Sequence, residues 1–128
     1  MVDAEAGIVD LGGDRAWIEA DDLGRVTAIN DRFTGEFGWS REALVGRPIL
    51  TLVPVALHDA HNLRFSRFVE FGEPGEFGQP LRLPVVTAGG ETMITETSLY
   101  AERRQGRWRL SAHLERVIEG GPPRSETV

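Results

Sequence analysis

The chain predicts an α+β domain, a five-stranded antiparallel sheet with short helices and one longer helix packed on one face. Three observations predict it. A tight turn, Asp21-Asp22-Leu23-Gly24, joins two short strand patterns near the start. A helical stripe runs over residues 55–71, and three strand-like segments punctuated by glycine turns follow it. Helices laid across a sheet in this order make a cup.

The elements are justified in turn. Residues 16–20 and 25–30 carry strand patterns on either side of the Asp/Gly turn, which makes a hairpin. Ser40 is a good N-cap, Glu42 puts negative charge in the first turn, and Trp39 and Leu44 occupy the two positions of a hydrophobic staple. Gly46 ends that helix. A helix so short is unstable alone, so packing through Phe33, Phe37, Trp39 and Leu44 must hold it. Pro54 then precedes the 55–71 pattern, in which Leu57, His61, Phe65 and Phe68 fall on one stripe, and Gly72 stands as a C-terminal glycine cap. Glu73-Pro74-Gly75 reads as a loop.

Strands follow at 77–86, 92–102 and 108–118, joined by turns at Ala88-Gly89-Gly90 and Arg104-Gln105-Gly106-Arg107. Trp108, Leu110, Ala112 and Leu114 alternate with Arg109, Ser111, His113 and Glu115, so one face is buried and the other polar. Met93, Thr95, Thr97 and Leu99 share one side of the middle strand. Residues 1–13 read as an N-terminal cap or dimerisation arm, 14–118 as the domain, and 119–128 as a flexible linker or tail.

Composition narrows the function. At 128 residues, with 41% hydrophobic and 27% charged residues, the chain is one domain with a real core. A net charge of −6 and a pI near 5.0 argue against nucleic acid or an acidic membrane surface as partner. The absence of cysteine removes disulfides, thiolate catalysis and thiolate metal sites. No apolar run is long enough to span a bilayer and no secretion signal is evident, so the expected compartment is the cytoplasm.

The run Phe37-Gly38-Trp39-Ser40-Arg41-Glu42-Ala43-Leu44-Val45-Gly46, preceded by the Asp/Gly hairpin, Asn30 and Phe33, resembles the opening of a PAS domain. The resemblance implies the PAS fold over roughly residues 14–118 and a non-enzymatic bacterial sensory role. From Pro54 to Tyr100 the chain is similar to the oxygen-sensing haem PAS domains of rhizobial histidine kinases, and His61 falls where their iron-ligating histidine lies. The resemblance departs at Leu81, where those sensors carry a distal arginine. Flavin–cysteinyl photochemistry, used by another PAS subclass, needs a cysteine that this chain lacks. The Asp-Ile-Thr ending common in signalling PAS domains is replaced by Arg116-Val117-Ile118, which puts the usual coupling to an output helix in doubt.

His61 therefore reads either as a core histidine satisfied by a hydrogen bond or as a haem-iron ligand. A small metal held by His58 and His61 would lack a marked acidic partner. Thr95 and Thr97 place two hydroxyls on the inward side of a strand, where each needs a partner: a polar ligand, a water or neighbouring backbone. Arg103, Arg104, Arg107 and Arg109 surround one hairpin tip, as a solvated turn or as a contact for an acidic partner. No nucleophile elbow, phosphate loop or zinc-protease motif is present.

The expectation is a sensory module with a small-molecule pocket lined by Phe33, Phe37, Leu57, His61, Phe65, Phe68, Met93, Thr95, Thr97 and Leu110. A homodimer is expected, regulating an output domain or partner protein. A ligand-free association domain is the alternative, using Val2, Ile8, Val9 and Leu11 with an exposed sheet face at Ile94, Tyr100 and His113.

Overall fold

The computed structural model describes residues 15–72, 75–76 and 80–117, so the expected arm at 1–13 and tail at 119–128 lie outside the described residues. Strands β1 (Ala16–Asp21) and β2 (Val26–Ile29) form the hairpin. Helices α1 (Asp31–Phe37) and α2 (Arg41–Leu44) follow, then two 3-10 turns and the long helix α3 (His58–Phe71). The chain closes with β3 (Gly75–Glu76), β4 (Leu81–Val86), β5 (Thr92–Arg104) and β6 (Arg107–Arg116).

All pairings are antiparallel and the order is β2-β1-β6-β5, with β3 and β4 both on the outer edge of β5. Those two short strands make one interrupted edge, so the sheet has the five expected tracks. The strand expected from residue 77 begins at Leu81, residues 77–79 lie outside the described residues, and part of the expected loop pairs as β3. Pro84 is tolerated there because an edge strand leaves one row of donors unpaired.

The hairpin turn is built by Asp21, whose Oδ1 accepts from Leu23 N at 2.9 Å and Arg25 N at 3.0 Å, and by Gly24 at φ 81°. At the β5–β6 tip Gln105 and Gly106 sit at φ 53° and 78°, the two left-handed positions that match the twist of paired strands.

Asn30 stands where β2 becomes α1. Its Oδ1 accepts from Phe33 N at 2.9 Å, capping α1, and from Trp17 N at 3.1 Å. Its Nδ2 donates to the Arg15 carbonyl at 3.0 Å. Ser40 caps α2 as expected, its hydroxyl accepting from Ala43 N at 3.1 Å, and Gly46 follows that helix at φ 93°. The α2 loop then seals part of the β2 edge: Val26 N donates to Arg47 O at 2.9 Å, and Gly46 N to Val26 O at 2.8 Å.

The core lies between the sheet and α1–α2. Ala16, Ile18, Val26, Ile29, Phe33, Phe37, Leu44, Leu52, Val85, Ala112 and Leu114 pack together, with Trp39, Ile49, Met93 and Leu99 at its margin. Phe33 and Phe37 meet at 4.9 Å between ring centres, and Trp39 Nε1 donates to Val86 O at 2.9 Å. The helical stripes and strand alternation thus converge on one face.

Gly72 closes α3 at the C-cap position, as expected, its N–H donating to Phe68 O at 2.7 Å; its φ of −74° is not left-handed but ordinary for any residue. Glycine is needed there for space, because a Cβ would overlap the Phe68 ring and carbonyl. His113, expected on an exposed polar face, is buried.

Replacing Asn30 removes a helix cap and leaves the Trp17 N–H and Arg15 carbonyl without their partner. Asn30→Ala is expected to cost about 3 kcal/mol and Ser40→Ala about 1 kcal/mol in urea unfolding. Equal costs would show that Asn30 acts only as a cap.

Candidate functional site

Helix α3 supplies the expected pocket wall. A 3-10 turn at Val55–Leu57 leads into it, and its start is fastened by His58, whose Nε2 donates to Val53 O at 2.8 Å. Asp59 adds a favourable charge to the first turn.

The C-terminal half docks against the turn end of the sheet. The Phe65 ring lies against the β1–β2 turn, 3.8 Å from where a Gly24 Cβ would stand. Phe68 packs on Trp108 at 4.6 Å between ring centres, and Trp108 Nε1 donates to Val69 O at 3.3 Å. Arg103 covers the other part of the Trp108 ring, 4.6 Å from its centre. Even so, no residue of α3 is fully buried, and Leu63 and Phe71 are 59% and 74% exposed.

His61 lies one turn before Phe65 and stacks with it, ring centres 6.2 Å apart and planes 14° from parallel. Its Nδ1 is buried and has no hydrogen-bond partner. Burial pushes the His61 pKa down from its ordinary 6.5, and the neighbouring charges of His58 and Arg64 push the same way. The ring is therefore neutral at pH 7.

The ten residues expected to line one pocket divide. Phe33, Phe37, Thr95 and Thr97 are sealed in the core, whereas Leu57, His61, Phe65, Phe68, Met93 and Leu110 keep some exposure. Met93 opposes Val85, and Leu110 opposes Ala101 eight residues further along β5. At about 3.3 Å per residue these positions are about 26 Å apart, too far to share a small ligand. The remaining partly exposed set centres on α3.

The threonine hydroxyls satisfy one another. Thr95 donates to Leu83 O at 3.0 Å, and the Thr97 hydroxyl, 2.7 Å away, donates to Thr95. The arginines at the β5–β6 tip are also largely engaged within the chain: Arg107 grips Asp22 through two bonds of 2.7 and 3.2 Å, and Arg104 meets Glu102 at 2.6 Å. The Arg107 guanidinium holds the Asp22 carboxyl below its usual range.

The residues do not fit a haem. A ligating histidine needs its second ring nitrogen held by an acceptor, and His61 Nδ1 has none. Leu81, opposite Thr97, offers no donor to a bound gas. Among the described residues no group of three His, Asp or Glu side chains is arranged to hold a metal ion.

Sequence reasoning missed a shallow, open groove of about 480 Å³ lined by Thr27, Ala28, Ile29, Arg41, Glu42 and Val45. It arises where α2 leans on edge strand β2, a tertiary contact with no sequence signal. Its rim is occupied, since Arg41 bonds Asp31 at 3.0 Å. Within the expected pocket set, the buried atom without a partner is His61 Nδ1.

No family model matches the chain. A stretch of 105 residues, 81% of the chain, is 28% identical to an uncharacterized protein of Azorhizobium caulinodans, and spans 14% of that relative's length. Solved structures are similar in fold. The PAS domain of a Colwellia psychrerythraea protein superposes with a TM-score of 0.71 at 15% identity, over 89% of this chain and 94% of that one. The PAS domain of an HTR-like protein from Haloarcula marismortui gives 0.68 at 21% identity, over 89% and 88%. The Rhodobacter sphaeroides LOV protein gives 0.69 at 14% identity, over 90% and 65%. The chain has the PAS fold.

His61 makes stability depend on pH. Above pH 6.5 both folded and unfolded states carry a neutral ring; below it the unfolded chain takes up the proton first, so stability falls. Urea midpoints are expected to drop between pH 7.5 and 5, and to drop less in His61→Gln. An identical slope in the two proteins would contradict the buried, neutral assignment.

Proposed function

We propose that this PAS-fold domain is a non-enzymatic sensory module that binds a small molecule between α3 and the inner face of the sheet. The observation that carries the reading is the buried, unpartnered Nδ1 of His61, on a helix that keeps every residue at least partly exposed. An unmet buried polar atom costs about 1–3 kcal/mol, so a ligand that supplies its partner binds with that much in its favour.

A binding event there has a route to the rest of the chain. Helix α3 is held by the Phe68–Trp108 contact, by Phe65 against the hairpin turn and, at its start, by the His58–Val53 bond. A ligand that prefers one placement of α3 shifts the population toward it, and Trp108 passes the change to β6. Val117, next after β6, donates its N–H to Ile94 O at 2.9 Å, so the segment leaving the sheet is tied to β5. The resemblance supplies the sensory role, and the PAS likenesses support it. In the Azorhizobium relative the similar stretch is a small part of a longer chain, as a sensory domain attached to an output would be. The partner of this chain is then an output domain, a signalling protein or a second copy, in the cytoplasm; no helix among the described residues is long and apolar enough to cross a membrane.

Native mass spectrometry of protein purified without denaturation is expected to show a small-molecule adduct, with occupancy at least tenfold lower in His61→Ala. Bare mass in the wild type, whatever compounds are offered, would overturn the ligand reading. Hemin added to the protein is expected to give no Soret band that depends on His61. A band abolished by His61→Ala would assign haem instead.

A further inference from the structure

Helix α3 has a second side. Projected at 100° per residue, His61, Phe65 and Phe68 turn toward the sheet. Ala60, Leu63, Arg64, Arg67 and Phe71 fall within one arc about 100° wide on the solvent side, and all five are exposed. An arc of that width is what a surface helix ordinarily buries, so α3 is patterned to pack on two sides. Of the eight large apolar side chains exposed among the described residues, Val55, Leu57, Leu63 and Phe71 belong to α3 or to the turn that enters it. Half of them on one element marks an interaction surface, where scattered single residues would mark none.

The charge within the stripe has one sign. Arg64 and Arg67 form no ion pair among the described residues, unlike Arg104 and Arg107, which Glu102 and Asp22 match. Arg103 adds a cation near the C-terminal end: its guanidinium lies over the Trp108 ring, and Trp108 holds Phe68 and the Val69 carbonyl of α3. In a chain of net charge −6, an acidic partner is attracted here while the rest of the surface repels it, which fixes where such a partner lands.

We propose that the solvent face of α3 docks an acidic amphipathic helix of a partner protein, its apolar side chains on Leu63 and Phe71 and its carboxylates on Arg64 and Arg67. Arg64 and Arg67, three residues apart, are neighbours at about 5–6 Å between Cβ atoms, a spacing that carboxylates one turn apart on a facing helix reproduce. Leu63 and Phe71 stand about 12 Å apart along the axis, which matches apolar positions two turns apart on such a helix. A second copy docked symmetrically would set these arginines against their own equivalents, which repel. Nucleic acid or anionic lipid needs a broader positive field than arginines flanked on the same helix by Asp59 and Glu70. The proposal does not rest on a ligand at His61, which lies on the sheet side of the helix.

The test is fluorescence anisotropy of the full chain with a stapled helical peptide of the length of α3, carrying Leu along one stripe and Glu on either side. Its counterpart with Lys in place of Glu is the control. The Glu peptide is expected to bind at least tenfold tighter than the Lys peptide, to weaken as salt rises, and to bind L63S/F71S at least tenfold more weakly. In R64E/R67E the order of the two peptides is expected to reverse. NMR amide shifts of the wild type on adding the Glu peptide are expected to centre on residues 60–71. The Trp39 and Trp108 indole signals, bonded to Val86 O and Val69 O, report whether each variant is folded. If a variant loses them, the wild-type preference and shifts decide. No binding of the Glu peptide, equal affinity for both peptides, or shifts centred elsewhere would overturn the proposal. So would tighter binding to phosphatidylserine vesicles, which assigns the face to lipid, or self-association through residues 60–71, which assigns it to a second copy.

Discussion

One side chain joins three parts of this fold at a single corner. The Asn30 amide accepts from the first turn of α1, accepts from the backbone of β1 at Trp17, and donates to the carbonyl of Arg15 just before that strand. Its backbone N–H also donates to Trp17 O at 3.2 Å. A chain leaving β2 must turn sharply to lay a helix back over the sheet, and that corner exposes helix donors with no partner. Asn30 answers them while fixing β1 beside the same corner. Phe33 and Phe37 then project into the core from a helix whose start cannot slide.

The consequence is an uneven molecule. The half built on the hairpin, α1 and α2 is sealed, with Phe33 at 0% and Phe37 at 1% exposure. The half built on α3 is held by fewer contacts, chiefly Phe65 at the turn and Phe68 between Trp108 and the space kept clear by Gly72. A rigid frame with one less firmly packed wall is what a ligand-responsive domain requires, because local openings cost least where buried contacts are few. His61 sits on that wall. Its neutral ring carries a hydrogen-bonding group into an apolar setting without the cost of burying a charge.

The polar groups divide between those the fold has already matched and those it has not. Thr95 and Thr97 bond each other and Leu83, and Arg107 is matched by Asp22 across two hairpin turns. Such pairs hold the fold and leave little for a partner. Among the described residues the buried side-chain atoms left without partners are Trp17 Nε1, His61 Nδ1 and His113 Nδ1, on opposite faces of the sheet. On the helix side, recognition therefore has a defined chemical handle in His61.

Much of this was legible in the linear chain. The Asp21–Gly24 turn, the Ser40 cap, the Gly46 stop and the alternation along β5 and β6 are local, set by backbone sterics and by hydrogen bonds spanning a few residues. They determined the order of elements, the five-stranded sheet and the inward face of each strand. What sequence could not show depends on distances between residues far apart in the chain. It marked Gly72 as the end of α3 but not that the Phe68 ring excludes a side chain there; it put Met93 and Leu110 in one pocket, when their positions lie at opposite ends of β5. It also made His113 an exposed residue by alternation, which assigns a face but not what covers it. Local chemistry determined the fold, whereas which polar atoms end up buried without a partner was decided only by tertiary packing, since that depends on every neighbour at once.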